Sequence, residues 1–215
     1  MARSALKQSR SSRPKKPLLI GLTGGPGAGK STVAKLMKEA GAKIIDADAI
    51  GHSILAHNRA VIKNTEKLFG NAVVSKKGPD RKLIGDIVFG DDSARRAFNR
   101  IIHPPLLRQL KKGLSQSATK KSVRMVVVDA ALIFEWGIAD WFDLIVVVAA
   151  SRAGRIARLC EAGLSMTQVR NRFAAQLDQK DKVALADYVI KNDGDRAVLK
   201  KEVRKLMAQI AKISR

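Results

Sequence analysis

Residues 24–31 read Gly-Gly-Pro-Gly-Ala-Gly-Lys-Ser, a complete G-x-x-x-x-G-K-[ST] pattern. Closely spaced glycines let successive backbone N–H groups turn inward onto phosphate oxygens, and a following helix adds the partial positive charge of its N-terminus. In such a loop Gly25, Gly27, Ala28, Gly29 and Thr32 surround a nucleotide's phosphates. Lys30 reaches the β- and γ-phosphates, and the Ser31 hydroxyl ligates Mg²⁺. The flanks have the required form. Residues 17–23 are an apolar run of strand type, and Val33, Ala34, Leu36, Met37 and Ala40 recur at helical spacing. A glycine-rich turn with no ligand is the bland alternative, and the Lys-Ser ending argues against it.

Carboxylates come next. Asp46-Ala-Asp48 closes one strand-like run, and Asp129 closes another, Met-Val-Val-Val-Asp. A carboxylate at such a strand end could accept a proton from a hydroxyl attacking a γ-phosphate, or hold Mg²⁺ through water. It could equally cap a helix. Asp48 is the candidate base, and His52 follows it by one helical turn. Residues 151–172 carry Arg152, Arg155, Arg158, Arg170 and Arg172 on helical sequence. They read as a cationic lid over a transferring phosphoryl group, or as a solvated helix face. His103, before Pro104-Pro105, is a substrate contact or the start of a helix with Pro at its first position.

These side chains need a scaffold. Strand candidates lie at 17–23, 42–46, 123–129, 144–149 and 187–191, separated by helical segments. That alternation predicts an α/β fold, a parallel sheet with helices on both faces. Residues 51–121 lack a comparable strand and read as helices broken at Gly70-Asn71, Gly78-Pro79-Asp80, Gly90-Asp-Asp92 and Pro104-Pro105. They form a helical insertion expected over the sheet's carboxyl edge, where open α/β sheets bind ligands. A lid spans about 151–182. Residues 195–214 form a basic helix whose apolar side holds Val198, Val203, Leu206, Met207, Ile210 and Ile213.

Residues 1–17 carry six Lys/Arg and no acid, so they read as a disordered basic arm or, alternatively, an organelle-targeting peptide. The net charge of +22 attracts polyanions, and nucleotides, coenzyme phosphates and nucleic acid all qualify. Aromatics make up 4% and none interleaves with the basic runs, so nucleic-acid stacking has little basis. Trp136 and Trp141 read as packing residues. No apolar run approaches the roughly 20 residues of a membrane span. Cys160 is the single cysteine, which excludes an intrachain disulfide and is compatible with a reducing compartment.

Taken in order, these segments resemble the dephospho-coenzyme A kinase family. The carrying pieces are Gly21–Ala34, Ile45-Asp-Ala-Asp-Ala-Ile50, Ile102-His-Pro104 and Asp129-Ala-Ala-Leu-Ile-Phe-Glu135, followed by Ala174-Ala-Gln176 and Ala186-Asp-Tyr-Val-Ile-Lys-Asn-Asp-Gly194. The resemblance covers 18–213. It implies a P-loop kinase fold over 18–215, with a five-stranded parallel core, a helical substrate-binding insertion (about 51–121) and the lid. It implies a cytoplasmic enzyme that uses Mg²⁺ with ATP to phosphorylate the ribose 3′-hydroxyl of dephospho-CoA. Lys30, Asp48 and a lid arginine would be catalytic, Ser31 the metal ligand. Thr23, Asp48, His52, His103 and Asp129 would face the substrate, and Asn192 and Gly194 the adenine. Three positions depart from the family pattern. Ala131 stands where proline is usual, and His52 lies near a position often held by arginine. In the lid, Arg155 and Arg158 are three apart instead of four, with Glu161 following. The sequence favours Arg158 as the catalytic lid arginine over Arg155. The rivals are another small-molecule P-loop kinase, of nucleoside monophosphate or shikimate type, and a nucleic-acid-binding P-loop protein.

Overall fold

The computed structural model describes residues 16–75, 78–120 and 122–213. The basic arm expected over 1–17 therefore lies outside the described residues, apart from its last two positions. The elements run β1 (Leu18–Gly24), α1 (Lys30–Glu39), β2 (Lys43–Asp46), α2 (Ala47–His57), α3 (Arg59–Phe69), β3 (Val74–Ser75), β4 (Gly78–Pro79), α4 (Arg81–Gly90) and α5 (Asp92–Ala118). They continue with β5 (Met125–Asp129), β6 (Leu144–Ala149), α6 (Arg152–Glu161), α7 (Met166–Ala174), α8 (Gln179–Ala184), β7 (Tyr188–Lys191) and α9 (Arg196–Ile213). Five strands form one sheet in the order β2-β5-β1-β6-β7, and every neighbouring pair is parallel. Each of the five strand candidates in the sequence becomes one of these strands.

A strand buried on both faces sends alternate side chains into two different layers. Met125 and Val127 of β5 and Val146 and Val148 of β6 enter the layer with Val33, Met37, Leu199, Val203 and Leu206, which belongs to α1 and α9. Val126, Val128, Ile145 and Val147 enter the opposite layer with Ile54, Leu106, Leu110 and Leu114. Gly21 faces that second layer, where a Cβ would stand 2.7 Å from Ile145 Cδ1 and 2.9 Å from Ile133 Cδ1. A side chain there would force β1 away from its neighbours.

The insertion differs from expectation in three ways. It contains a short antiparallel hairpin, β3 with β4. Pro104 and Pro105 do not break a helix: both lie inside the 27-residue α5. Two prolines remove two backbone donors and would break an exposed helix. Here the apolar face carries the chain through, since Ile102, Pro105, Leu106, Leu110 and Leu114 are all buried, each leucine stabilising the packed helix by about 2 kcal/mol. Third, α5 does more than overhang the sheet's carboxyl edge. Its second half lies on the sheet face itself, which would otherwise expose Val126 and Val128. In α9 the buried side includes Leu199 at 3% exposure, whereas Val198 is 49% exposed, beside the turn at Gly194. Val203, Leu206 and Ile210 are buried as expected.

Candidate active site

The strand order reverses at β1, so the loop leaving its carboxyl end opens into the crevice where such sheets bind ligands. That loop is the glycine pattern. Gly27 has φ 72° and Gly29 φ 93°, conformations in which an L side chain is strained. Space forbids side chains there too: a Cβ on Gly27 would lie 2.5 Å from the Arg155 carbonyl oxygen, and one on Gly29 would collide with the Asn192 amide nitrogen. Gly29 is also the residue from which α1 starts, so the loop's last N–H groups and the helix terminus point the same way. Ser31 and Thr32 follow in the first turn, with Ser31 exposed. Ala28 is buried, and its carbonyl accepts a 2.8 Å hydrogen bond from the Asn192 amide.

Lys30 reaches across to β5. Its ammonium donates to Asp129 Oδ1 at 2.8 Å, leaving two donors for other oxygens. Asp129 is 8% exposed. Burial pushes its carboxyl above the usual aspartate range, the Lys30 charge and hydrogen bond pull the other way, and Asp46 and Asp48 add repulsion. That repulsion reflects topology. Asp46 and Asp129 are register partners on adjacent strands, so three carboxylates gather at one sheet edge. Two roles left open by the sequence separate here. Asp46 is the cap of α2, accepting from the Ala49 N–H at 2.9 Å. Asp48 stands exposed in the first turn of that helix. The Ser31 hydroxyl and these carboxylates make an oxygen-only donor set. It suits Mg²⁺, which takes one or two carboxylates plus substrate phosphates and keeps several waters. Among the described residues, no group of three His, Cys, Asp or Glu side chains forms a metal cage.

Arg155 and Arg158 of α6 both meet the loop, in different ways. Arg158 donates to the Gly27 carbonyl at 3.1 Å and to the Asn192 carbonyl at 2.7 Å, stitching the phosphate loop to the end of β7. Arg155 is 8% exposed and lies 4.7 Å from the Phe173 ring centroid. A Cβ on Gly25 would stand 2.6 Å from one of its guanidinium nitrogens, and its buried Nε has no hydrogen-bond partner among the described residues. Burial, helped by Arg152, lowers its pKa.

The remaining candidates scatter. Thr23 is fully buried and spends its hydroxyl on the Ala131 carbonyl at 3.0 Å, so it braces the loop from below. His103 Nε2 accepts from Trp136 Nε1 at 3.1 Å, which makes Nδ1 the protonated nitrogen of the neutral ring, and burial lowers its pKa. His52 is exposed on α2, and Gly194 is exposed beyond β7. Sequence reasoning missed Lys182. It is fully buried, and its ammonium donates to the Ala131 carbonyl at 2.6 Å and Gln176 Oε1 at 3.2 Å and pairs with Glu135 at 2.9 Å. The recognised segments around Glu135 and Gln176 were the available signal, but nothing in the spacing announced their convergence.

Comparison with known proteins agrees with this geometry. The dephospho-CoA kinase family profile matches residues 18–197. A dephospho-CoA kinase of Chlorobaculum tepidum is 37% identical over 195 residues, covering 88% of this chain and 93% of the relative. Among solved structures, a Thermus thermophilus protein superposes with TM-score 0.74 at 29% identity, over 91% of this chain and 99% of its own. The dephospho-CoA kinase of Campylobacter jejuni gives TM-score 0.60 at 25% identity, over 90% and 97%.

Proposed function

The chain belongs to the dephospho-CoA kinase family, and from that premise we propose that it transfers the γ-phosphoryl group of ATP to the ribose 3′-hydroxyl of dephospho-CoA, giving coenzyme A. The observation that carries the proposal is the meeting of Lys30, Asp129 and Asp48 at one sheet edge beneath the glycine loop. Loop N–H groups and the α1 terminus hold the phosphates, while Lys30, anchored by Asp129, keeps donors for the β- and γ-oxygens. Asp48 accepts the proton of the attacking hydroxyl, because Asp46 is occupied as a helix cap. Mg²⁺ would sit at Ser31 with carboxylate help, and when bound it neutralises charge on the phosphates.

In the lid, geometry supports a division of labour that reverses the sequence preference. Arg155, with its guanidinium beside Gly25 and its Nε unpartnered among the described residues, supplies charge to the transferring group. Arg158 holds the loop in shape through two carbonyls. His103 and His52 belong to the acceptor side, on the insertion. A cytoplasmic location accompanies this proposal. Among the described residues no helix is long and apolar enough to cross a membrane.

The test is a coupled ADP-release assay with MgATP and a panel of acceptors. Dephospho-CoA should be turned over far faster than a nucleoside monophosphate or shikimate. Preference for one of those would reject the acceptor assignment, and turnover that rises with added DNA would favour a nucleic-acid role.

A further inference from the structure

A fully buried lysine is costly unless its ammonium is paired and hydrogen-bonded. Lys182 meets that condition through three contacts, two on the segment 131–135 that follows β5 and one on Gln176, six residues before it in the chain. The Ala131 carbonyl, two residues past Asp129, takes one bond. The same carbonyl accepts from Thr23, the residue next to the glycine loop. Glu135, at the end of that post-β5 segment, pairs with the ammonium and also accepts from the Leu177 N–H at 2.9 Å. Gln176, between α7 and α8, takes the third contact. Beside it, Gln179 clasps both the N–H and the C=O of Ala150 at the end of β6. One side chain thus ties the segment leaving Asp129 to Gln176, and it meets β1 indirectly, through the Ala131 carbonyl that it shares with Thr23.

We propose that Lys182 is a positioning residue for phosphoryl transfer. It holds the segment that follows Asp129 against β1 and against the lid stem, so that the Asp129–Lys30 pair and the lid arginines keep a fixed relation to the loop. The inference rests on the proposed kinase reaction. Lys182 does not touch the reacting groups. It acts through the Ala131 carbonyl and the Glu135 carboxylate, and its effect belongs in the chemical step more than in ATP binding.

Lys182→Met keeps the length of the side chain and removes its charge and donors. It leaves Glu135 without its cation, so this variant should melt earlier than the wild type. The double variant Lys182→Met/Glu135→Gln removes the orphaned charge while the amide oxygen can still accept from Leu177, and it should recover much of the lost Tm. Displacement of reacting groups by about 1 Å can cost on the order of 10²-fold. We therefore expect kcat with dephospho-CoA to fall roughly 10- to 100-fold in both variants, with KM for ATP changed less than about threefold. The proposal is overturned if kcat returns together with Tm in the double variant, or if the folded single variant turns over at the wild-type rate. Should the single variant fail to fold, the double variant alone decides. Amide exchange separates this proposal from the kinase assignment. A wild type inactive on dephospho-CoA refutes the assignment, yet amides of residues 132–138 and Leu177 should still exchange about tenfold faster or more in the folded double variant. Unchanged exchange there would refute the tie itself.

Discussion

The glycine loop and the arginine-bearing helix α6 meet at Gly25 and Gly27, yet they are built in different ways. The loop is made by neighbours in sequence: β1, four glycines, Lys30 and the start of α1 lie within residues 18–39, and the backbone does the binding. The lid is made by partners far apart. Arg158 bonds residues 131 and 34 positions away, and Lys182 bonds a carbonyl 51 positions away. The loop takes its backbone path from its own glycines and is braced from a distance by Arg158, Asn192 and Asp129, whereas the arginine and lysine contacts of the other region exist only through partners elsewhere in the chain. Substitutions in the loop should therefore abolish chemistry with little loss of stability, and substitutions in the lid should mix the two.

The loop side should show the largest effect. Lys30→Ala removes the ammonium proposed to contact the β- and γ-phosphates, and kcat should fall by about 10³-fold or more while the protein stays folded. Steady-state kinetics with a parallel melting curve checks both halves, and a folded variant with near-normal turnover would break the comparison at its strongest point. Asp48→Asn comes next. The amide cannot take a proton, so turnover should fall about 10²- to 10⁴-fold with ATP binding retained. An equal loss in Asp46→Asn alone would move the base to the capping residue.

The two lid arginines sharpen the contrast. Arg155→Ala should lower kcat by about 10²-fold or more with a smaller change in KM for ATP. Arg158→Ala leaves two carbonyls without their donor and should cost roughly 1–3 kcal/mol of stability along with weaker ATP binding. If Arg158→Ala is instead the variant with the greater loss in kcat and no loss in Tm, the roles are exchanged.

The smallest effect concerns the acceptor side. His103 is held neutral, its pKa lowered by burial from the ordinary histidine value of 6.5. Below that pH the unfolded chain takes up a proton that the folded chain does not. The stability His103 contributes is thus present above 6.5 and lost as pH falls through its depressed folded value. His103→Gln, which can still accept from Trp136, should lose less stability than the wild type between neutral pH and about pH 5. Identical pH profiles would show that the ring titrates freely.

The same contrast explains what the sequence could tell. The central strands β1, β5 and β6 were legible because a doubly buried parallel strand is a short apolar run, and Leu144–Ala149 is an extreme case; the edge strands β2 and β7 are short and partly exposed, and were legible from shorter apolar runs set between helical segments. The loop was legible because its chemistry needs particular residues in particular order. The continuity of α5 through Pro104-Pro105 was not, because local propensity says break, while Leu106, Leu110 and Leu114 against the sheet say continue. The burial of Thr23 beneath the loop and the contacts of Arg155 and Arg158 were hidden for a related reason. Spacing along a helix cannot say which side chain meets a carbonyl on another strand. Lys182 was the deepest omission, since a lysine in a short polar segment normally marks solvent and here marks the centre of a network.

The most direct measurement of the central claim follows phosphate from ATP to acceptor by ³¹P NMR, with wild type and Lys30→Ala side by side. With MgATP and dephospho-CoA, wild type should produce ADP and a ribose 3′-phosphomonoester in equal amounts, and the folded Lys30→Ala variant should produce almost neither. ADP released without that monoester, or a phosphate on any other hydroxyl, would contradict the account.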